Sequence, residues 1–185
     1  MRDLHRQLTA HYESVWPGPA VVKRWRRGPI QDLPRGFRIL EFAPTKQRGF
    51  WTYATCGMSG GIDRDAIELH LFAPAADSAH VELLTVIAHF HLTGTALGLS
   101  HTVNFGKPWL PGSACDHGLI SLPYLDGPPL ERFCPGENHE ARCLWLIPIT
   151  SGERDFKKER GIEELERRFD ASGFDYLDPL RPSVV

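Results

Sequence analysis

Residues 66–92, which read AIELHLFAPAADSAHVELLTVIAHFHL, decide the fold of this chain. In the first part of the stretch, Ile67, Leu69 and Leu71 alternate with the residues between them. A two-residue period is typical of a β-strand that turns one face toward a core. We therefore predict a strand over residues 66–72, with Ala73 and Pro74 ending it.

The second part of the stretch predicts a long helix. Asp77 or Ser78 is a suitable N-cap, and the apolar positions continue to about Leu92. Those positions cover most of the helix circumference and leave one narrow polar line, formed by Glu82, Thr85 and His89. Because a helix that is apolar on most sides is largely buried, we expect it to be the central helix on the sheet.

The chain on either side of this predicted strand and helix is rich in strands. Further candidate strands are residues 20–25, 37–42, 50–56, 99–105, 117–122 and 141–147. Pro148 is expected to end the last of these strands or to place it at a sheet edge, because proline cannot donate to a ladder.

Helices are predicted at both ends of the chain. An amphipathic helix occupies residues 1–16, and the capping-box spacing of Thr150 and Glu153 starts another. A last helix follows Gly161, and residues 172–185 form a turn-rich tail. Since strands occur in runs rather than alternating with helices, the fold class is α+β. We predict a single domain over residues 1–185, an α/β sandwich with a central mixed, largely antiparallel β-sheet packed by helices.

Composition excludes several classes of protein. The chain has 185 residues, 24% of them charged, and a net charge of −2, so no global field attracts nucleic acid or an anionic membrane. It contains no apolar stretch of about 18 residues and no secretory signal at its start. The four cysteines form no C-x-x-C pair. These features favour a cytoplasmic protein with free thiols, without contact to a membrane.

Charge is unevenly spread along the chain. Residues 1–50 carry +6, residues 51–150 carry −6 and residues 151–185 carry −2. The segments either neighbour and complement one another in the fold, or the acidic part is offered to a basic partner. The basic run at residues 23–27 is typical either of a solvated edge strand or of a nucleic-acid patch. We favour the edge strand and predict no binding of nucleic acid.

Two patterns invite a catalytic or metal interpretation. Residues 57–61, GMSGG, satisfy the G-x-S-x-G pattern of a hydrolase nucleophile elbow, which requires a helix after the serine. Here the following segment has the pattern of a loop and a strand, which favours a glycine-rich hairpin. A serine hydrolase using Ser59 with a histidine remains the alternative. His89 and His91 lie on opposite faces of the predicted helix, so we expect no metal and no cofactor.

The segment 100–130 contains five prolines and few charges. Long connections inside a domain are usually functional, and restricted backbone lowers the entropy lost on binding. We predict a protein-binding surface built from the loop 107–113 and the turn 123–127. Its candidate residues are Trp109, Leu110, Pro111, His117, Tyr124 and Asp126. The alternative is that these turns seal the end of the sheet and Trp109 packs inward.

A series of short motifs gives the chain a resemblance to a known family. The motifs are GMS at 57–59, ELHLFAP at 68–74, TG at 93–94, SHTVNFG at 100–106, PWLPGS at 108–113, SLPYLDG at 121–127 and LWLIPIT at 144–150. In this order and spacing they resemble the suppressor of fused-like domain of bacterial single-domain members, over roughly residues 15–185.

The resemblance implies a mixed α/β sandwich without catalytic residues that binds another protein, such as a toxin or a peptide segment added as a β-strand. It also implies, for bacterial members, a role as an immunity protein of a polymorphic toxin system. The function expected from the sequence is therefore non-enzymatic protein binding. A homo-oligomer subunit is a third possibility, and the sequence leaves the oligomeric state open.

Overall fold

A single mixed β-sheet organises the chain in the computed structural model, which describes residues 2–28, 30–61, 66–136 and 139–185. Its strands are β1 (Val21–Lys23), β2 (Arg38–Phe42), β3 (Trp51–Cys56), β4 (Ile67–Ala73), β5 (Thr102–Asn104), β6 (Cys115–Ser121), β7 (Arg132–Gly136) and β8 (His139–Thr150). The helices are α1 (Arg2–Val15), α2 (Ser78–Thr93), α3 (Pro128–Glu131), α4 (Ser151–Arg160) and α5 (Ile162–Ser172).

The strand order is β1-β2-β3-β4-β8-β6-β5, and β7 pairs with β8 outside this path. Among the described strands, β4 and β8 are the one parallel pair, with Ile67 opposite Arg142 and His70 opposite Trp145. The other pairs are antiparallel. The predicted fold class, an α+β sandwich around a mixed and largely antiparallel sheet, is confirmed.

Helices cover both faces of the sheet. On one face α2, capped by the side chain of Asp77, buries Leu84 and Ile87 against the sheet. On the other face, Tyr12 of α1 and Trp16, which follows α1, pack over β2 and β3, and α5 packs over β6 and β8. This coverage places every side chain of β4 in the interior.

This double coverage buries polar side chains of residues 66–92 as well as apolar ones. The face of β4 that carries Glu68 and His70 is buried, like the face that carries Leu69 and Leu71. In α2, Thr85 is also buried and its hydroxyl donates to the carbonyl of Val81, 2.6 Å away. The exposed line of the helix includes Val86 and Phe90 instead.

The prediction that this strand ends at Pro148 or lies at a sheet edge is wrong, because β8 continues past Pro148 and is an interior strand. Pro148 lies opposite Gly118 of β6, and its carbonyl accepts a 3.0 Å hydrogen bond from Arg181 Nη2. In a strand the N and the carbonyl of a residue point to the same side, so the proline nitrogen also points away from β6. The pairing with β4 on that side ends at Trp145, so the missing N–H removes no ladder bond.

The tail is tied to the body of the protein by a buried ion pair. Arg181 donates to both carboxylate oxygens of Glu153, each at 2.7 Å, and both side chains are buried. Glu153 also completes the predicted capping box with Thr150 at the start of α4. One carboxylate therefore joins a helix start, the end of β8 and the C-terminal tail.

Candidate functional site

Trp109 lies in the core, with 4% of its surface exposed. Its ring packs against His80 of α2, with the ring centroids 5.7 Å apart, and its backbone N–H donates to Cys115 at 2.9 Å. The loop before β6 thus folds over the helix and seals the end of the sheet, which is the alternative that the sequence left open for this residue.

Some of the other predicted binding residues are buried and some are exposed. His117 is buried and its Nδ1 lies 2.7 Å from Asp116 Oδ1, while the carboxylate of Asp126 is enclosed beside Arg48. Leu110 is half-buried, Pro111 is exposed, and Tyr124 is 59% exposed. Leu110, Pro111 and Tyr124 therefore retain surface that a partner could contact.

The structure does not bring the two predicted segments together. The loop 107–113 precedes the first residue of β6, and the turn 123–127 follows its last residue. A strand of this length, with a rise of about 3.3 Å per residue, separates the two segments by roughly 20 Å. The two segments belong to different surfaces, and the turn carries Tyr124, which is more exposed than Trp109 of the loop.

The turn 123–127 forms one wall of an open cavity of about 450 Å³, which we name the aromatic groove. Its floor is formed by β6 and β8, its second wall by α5 and its end by the tail. The lining residues are Leu119, Ser121, Tyr124, Leu125, Trp145, Ile147, Glu166, Phe169, Asp170, Phe174 and Tyr176. Tyr124 and Leu125, which is 50% exposed, lie side by side at its mouth.

An ion pair holds the wall of the groove in place. Arg48 donates to both carboxylate oxygens of Asp126, at 2.6 and 3.1 Å, and its guanidinium stacks on Phe50 and Phe72 at 4.7 Å. The turn closes on itself through a 2.6 Å hydrogen bond from Gly127 N–H to the carbonyl of Pro123. The conformation that presents Tyr124 and Leu125 is therefore fixed before any partner arrives.

The groove carries negative charge. Tyr124 Oη donates to Glu166 Oε1 at 3.1 Å, and Asp170 lies one turn further along α5. No basic side chain lines the groove among the residues that the structure describes. Its aromatic floor and acidic wall are suited to an apolar side chain with a cationic neighbour.

Tyr124 was among the residues predicted from the sequence, whereas the contribution of α5 and the tail to the groove was not. Glu166, Asp170 and Tyr176 reach the groove only because α5 crosses β6 and β8. In the sequence, their sole signal was an amphipathic helix followed by aromatic residues, which is also typical of ordinary core packing.

Ser59, the residue of the hydrolase alternative, has a structural role. It is buried, and its Oγ donates to Glu68 Oε1 at 2.7 Å. It starts a single short 3-10 turn rather than the long helix of a nucleophile elbow. Within the described residues, no histidine nitrogen lies within hydrogen-bonding distance of this hydroxyl. Among the described residues, the hydroxyl therefore has no histidine of the kind that the hydrolase alternative requires.

In the described ranges, no group of three or more His, Cys, Asp or Glu side chains is placed to hold a metal ion. No described helix is both long and apolar enough to cross a bilayer. The four cysteines are free thiols, and Cys134 alone among them is exposed.

The fold and the groove together define a class of protein, a mixed α/β sandwich with an aromatic concavity walled by a rigid turn and a C-terminal helix. The sequence profile of the suppressor of fused protein (SUFU) family matches residues 34–182. The chain belongs to this family. No curated protein sequence gives a significant match.

Solved structures agree with this assignment. A suppressor of fused homologue from Neisseria gonorrhoeae superposes with a TM-score of 0.86 at 32% identity, covering 100% of this chain and 98% of that one. A chain of the Sufu-Fu complex has a TM-score of 0.73 at 14% identity, with 98% and 92% covered. Drosophila Suppressor of Fused has a TM-score of 0.73 at 13% identity, and the match spans 98% of this chain and 51% of that protein.

Proposed function

We propose that this chain is a non-enzymatic protein-binding module that captures its partner at the aromatic groove and, in a bacterial host, acts in the cytoplasm as an immunity protein that blocks a cognate toxin. The observation that carries the proposal is the pair Tyr124 and Leu125, exposed at the mouth of a cavity of about 450 Å³.

Exposed apolar residues beside a concave aromatic surface are typical of a recognition site. Tyrosine is a frequent energetic anchor of protein interfaces, and anchors concentrate where a pocket excludes water. The ion pair between Arg48 and Asp126 fixes the turn, so little conformational entropy is lost on binding.

The acidic wall narrows the class of partner. Glu166 and Asp170 favour a segment that inserts an apolar side chain and places a Lys or Arg beside it. The charge of −6 over residues 51–150 would speed encounter with such a basic partner. Support for a protein partner comes also from a chain of similar fold, which was crystallised as the Sufu-Fu complex.

The test uses the candidate toxin encoded next to this gene. The toxin domain is expressed in a sensitive bacterium with and without this chain, and growth is measured together with the affinity of the purified pair. We expect the chain to restore growth and Leu125→Ser or Tyr124→Ala to lose about tenfold or more in affinity.

Leu180→Ser is the matched control, because Leu180 is an equally large and still more exposed apolar residue outside the groove. It should bind as the parent protein does. Equal loss of affinity in the control, or full affinity in both groove variants, would place the interface elsewhere. If the chain restored growth with none of the toxins tested, but the groove variants still lost affinity for another protein, the immunity role would be rejected. The groove would then remain the proposed binding site.

A further inference from the structure

A second surface, at the opposite edge of the sheet, is strongly basic. Residues 23–38 contain six basic side chains and one acidic side chain. The fold gathers Arg24, Arg26, Arg35 and Arg38 around a cavity of about 230 Å³, which we name the arginine pocket. Arg24 and Arg26 follow β1, whereas Arg35 precedes β2 and Arg38 is its first residue, so the two pairs meet only in the folded chain.

These four arginines have no carboxylate partner among the described residues. The nearby acidic groups are engaged elsewhere, since Glu41 pairs with Lys23 at 3.1 Å and Asp32 with His89 at 3.3 Å. Arg38 is half-buried, and its Nε is shielded from solvent without a hydrogen-bond partner. Four like charges around one small cavity repel one another, and an anion placed between them relieves that repulsion.

An apolar trough continues from the arginine pocket along α2. It has a volume of about 350 Å³, and Trp25, Ile30, Leu33 and Val86 form its apolar lining. Its polar lining includes Arg27, His89 and Glu82, and the Glu82 carboxylate is paired with Lys107 at 2.8 Å. Trp25, Ile30 and Leu33 also line the arginine pocket, so the two concavities are continuous. Val86 is 53% exposed although it lies on the central helix. The basic arginine pocket and the partly exposed apolar trough thus form one continuous surface.

We propose that this surface binds an acidic segment of a protein partner, with a carboxylate in the arginine pocket and an apolar side chain in the trough. Guanidinium groups match carboxylates in geometry and charge, and the trough supplies burial that a free anion would not use. Nucleic acid fits less well, because Trp25 and Phe37 are packed against the core and do not stand free as stacking platforms.

The surface is separate from the aromatic groove. The arginine pocket lies beside β2 and includes Thr85 of α2, whereas the groove lies over β6 and β8 under α5. Four strand steps separate β2 from β6, which corresponds to roughly 19 Å. The acidic and basic surfaces can therefore be tested independently.

The experiment measures the fluorescence anisotropy of a labelled peptide built from Glu-Glu-Leu-Gly repeats, titrated with the full chain at low ionic strength. A peptide with Gln in place of every Glu is the neutral probe. We expect the acidic peptide to bind about tenfold or more tightly than the neutral one, and salt to weaken it. Arg24→Glu with Arg35→Glu should abolish this preference, and Val86→Ser should weaken binding about threefold.

Arg132→Glu with Arg160→Glu is the matched control, since both residues are exposed and make no ion pair among the described residues while the net charge changes equally. The control should retain binding. Thermal unfolding checks that each variant folds, and Arg24→Gln with Arg35→Gln repeats the test without charge reversal. The proposal would be overturned if the control lost as much affinity as the pocket variant, or if the neutral peptide bound as tightly as the acidic one. Tighter binding of single-stranded DNA, or self-association that the pocket variant removes, would also overturn it.

Discussion

At the scale of single residues, the buried carboxylate of Glu68 holds residues 57–59, which follow β3, in place. It accepts hydrogen bonds from the backbone N–H groups of Gly57, Met58 and Ser59 and from the hydroxyls of Thr55 and Ser59, at 2.6 to 3.3 Å. Five donors to one carboxylate stabilise this backbone, and none of the described ion pairs involves Glu68.

Glu68→Gln should reduce the free energy of unfolding by about 2–4 kcal/mol, because the amide turns an N–H₂ group toward groups that are themselves donors. Urea unfolding measures the loss. Glu159→Gln, on the exposed side of α4, is the control and should change stability by less than about 0.5 kcal/mol. A loss below about 1 kcal/mol for Glu68→Gln would mean that the network matters little.

Sequence reasoning could not assign this role to Glu68. A polar residue at every second position of a strand predicts a solvated face, and the donors that satisfy the carboxylate lie 9 to 13 residues earlier in the chain. The same limit applies to His70, whose ring packs between Trp16 and Phe72.

His70 should make the protein sensitive to acid. Burial lowers the pKa of its imidazole to about 3, whereas an unfolded chain has a value of about 6.5. Between these values the unfolded chain binds a proton that the folded chain does not, so stability falls as the pH drops through this window.

The measurement compares unfolding free energies at pH 6 and pH 4.5. His70→Leu should lose roughly 2 kcal/mol less than the parent protein over this range, since one proton linkage changes stability by about 1.4 kcal/mol per pH unit. The exposed His101→Asn should keep the parent slope. An unchanged slope in His70→Leu would assign the acid sensitivity to other groups.

At the scale of elements, α2 is where sequence reasoning succeeded most. Asp77 caps it, and its predicted and observed limits agree within one residue because cap, length and apolar content all point to the same helix. Pro148 shows the opposite case, since the direction of its nitrogen depends on the register with β6, which no local pattern reveals.

Leu84→Ala in α2 should reduce the free energy of unfolding by about 2–5 kcal/mol, because it leaves a cavity between the helix and the sheet. Val86→Ala removes two methyl groups from the exposed side of the same helix and should cost under about 1 kcal/mol. Denaturant unfolding of both variants measures the contribution of burial, because both changes introduce alanine into the same helix. Similar losses in both variants would show that α2 packs through another face.

At the scale of the whole molecule, the class of fold was predictable while the groove was not. Runs of strands around one apolar helix indicate α+β, but the meeting of the turn 123–127 with α5 is a contact between segments about 40 residues apart, as the bond from Tyr124 to Glu166 shows. Sequence periodicity carries no information on which exposed turns face each other.

The ion pair between Glu153 and Arg181 should stabilise the molecule as a whole, since it fastens the tail across β8. Arg181→Met leaves a buried carboxylate without its cation and should cost about 3–5 kcal/mol. Combining it with Glu153→Gln should recover part of that loss. Chemical unfolding gives both values, and a double variant less stable than Arg181→Met would argue against the ion pair as the cause.

The parallel pair at the centre of the sheet also bears on how the chain folds. Strands β1 to β4 pair with sequence neighbours, whereas Ile67 must find Arg142, 75 residues later. Closing so long a loop costs chain entropy before any contact compensates for it, and such pairings slow folding. We therefore expect the first four strands to form early, and the docking of β8 onto β4 to be the slow step that joins the two halves of the sheet.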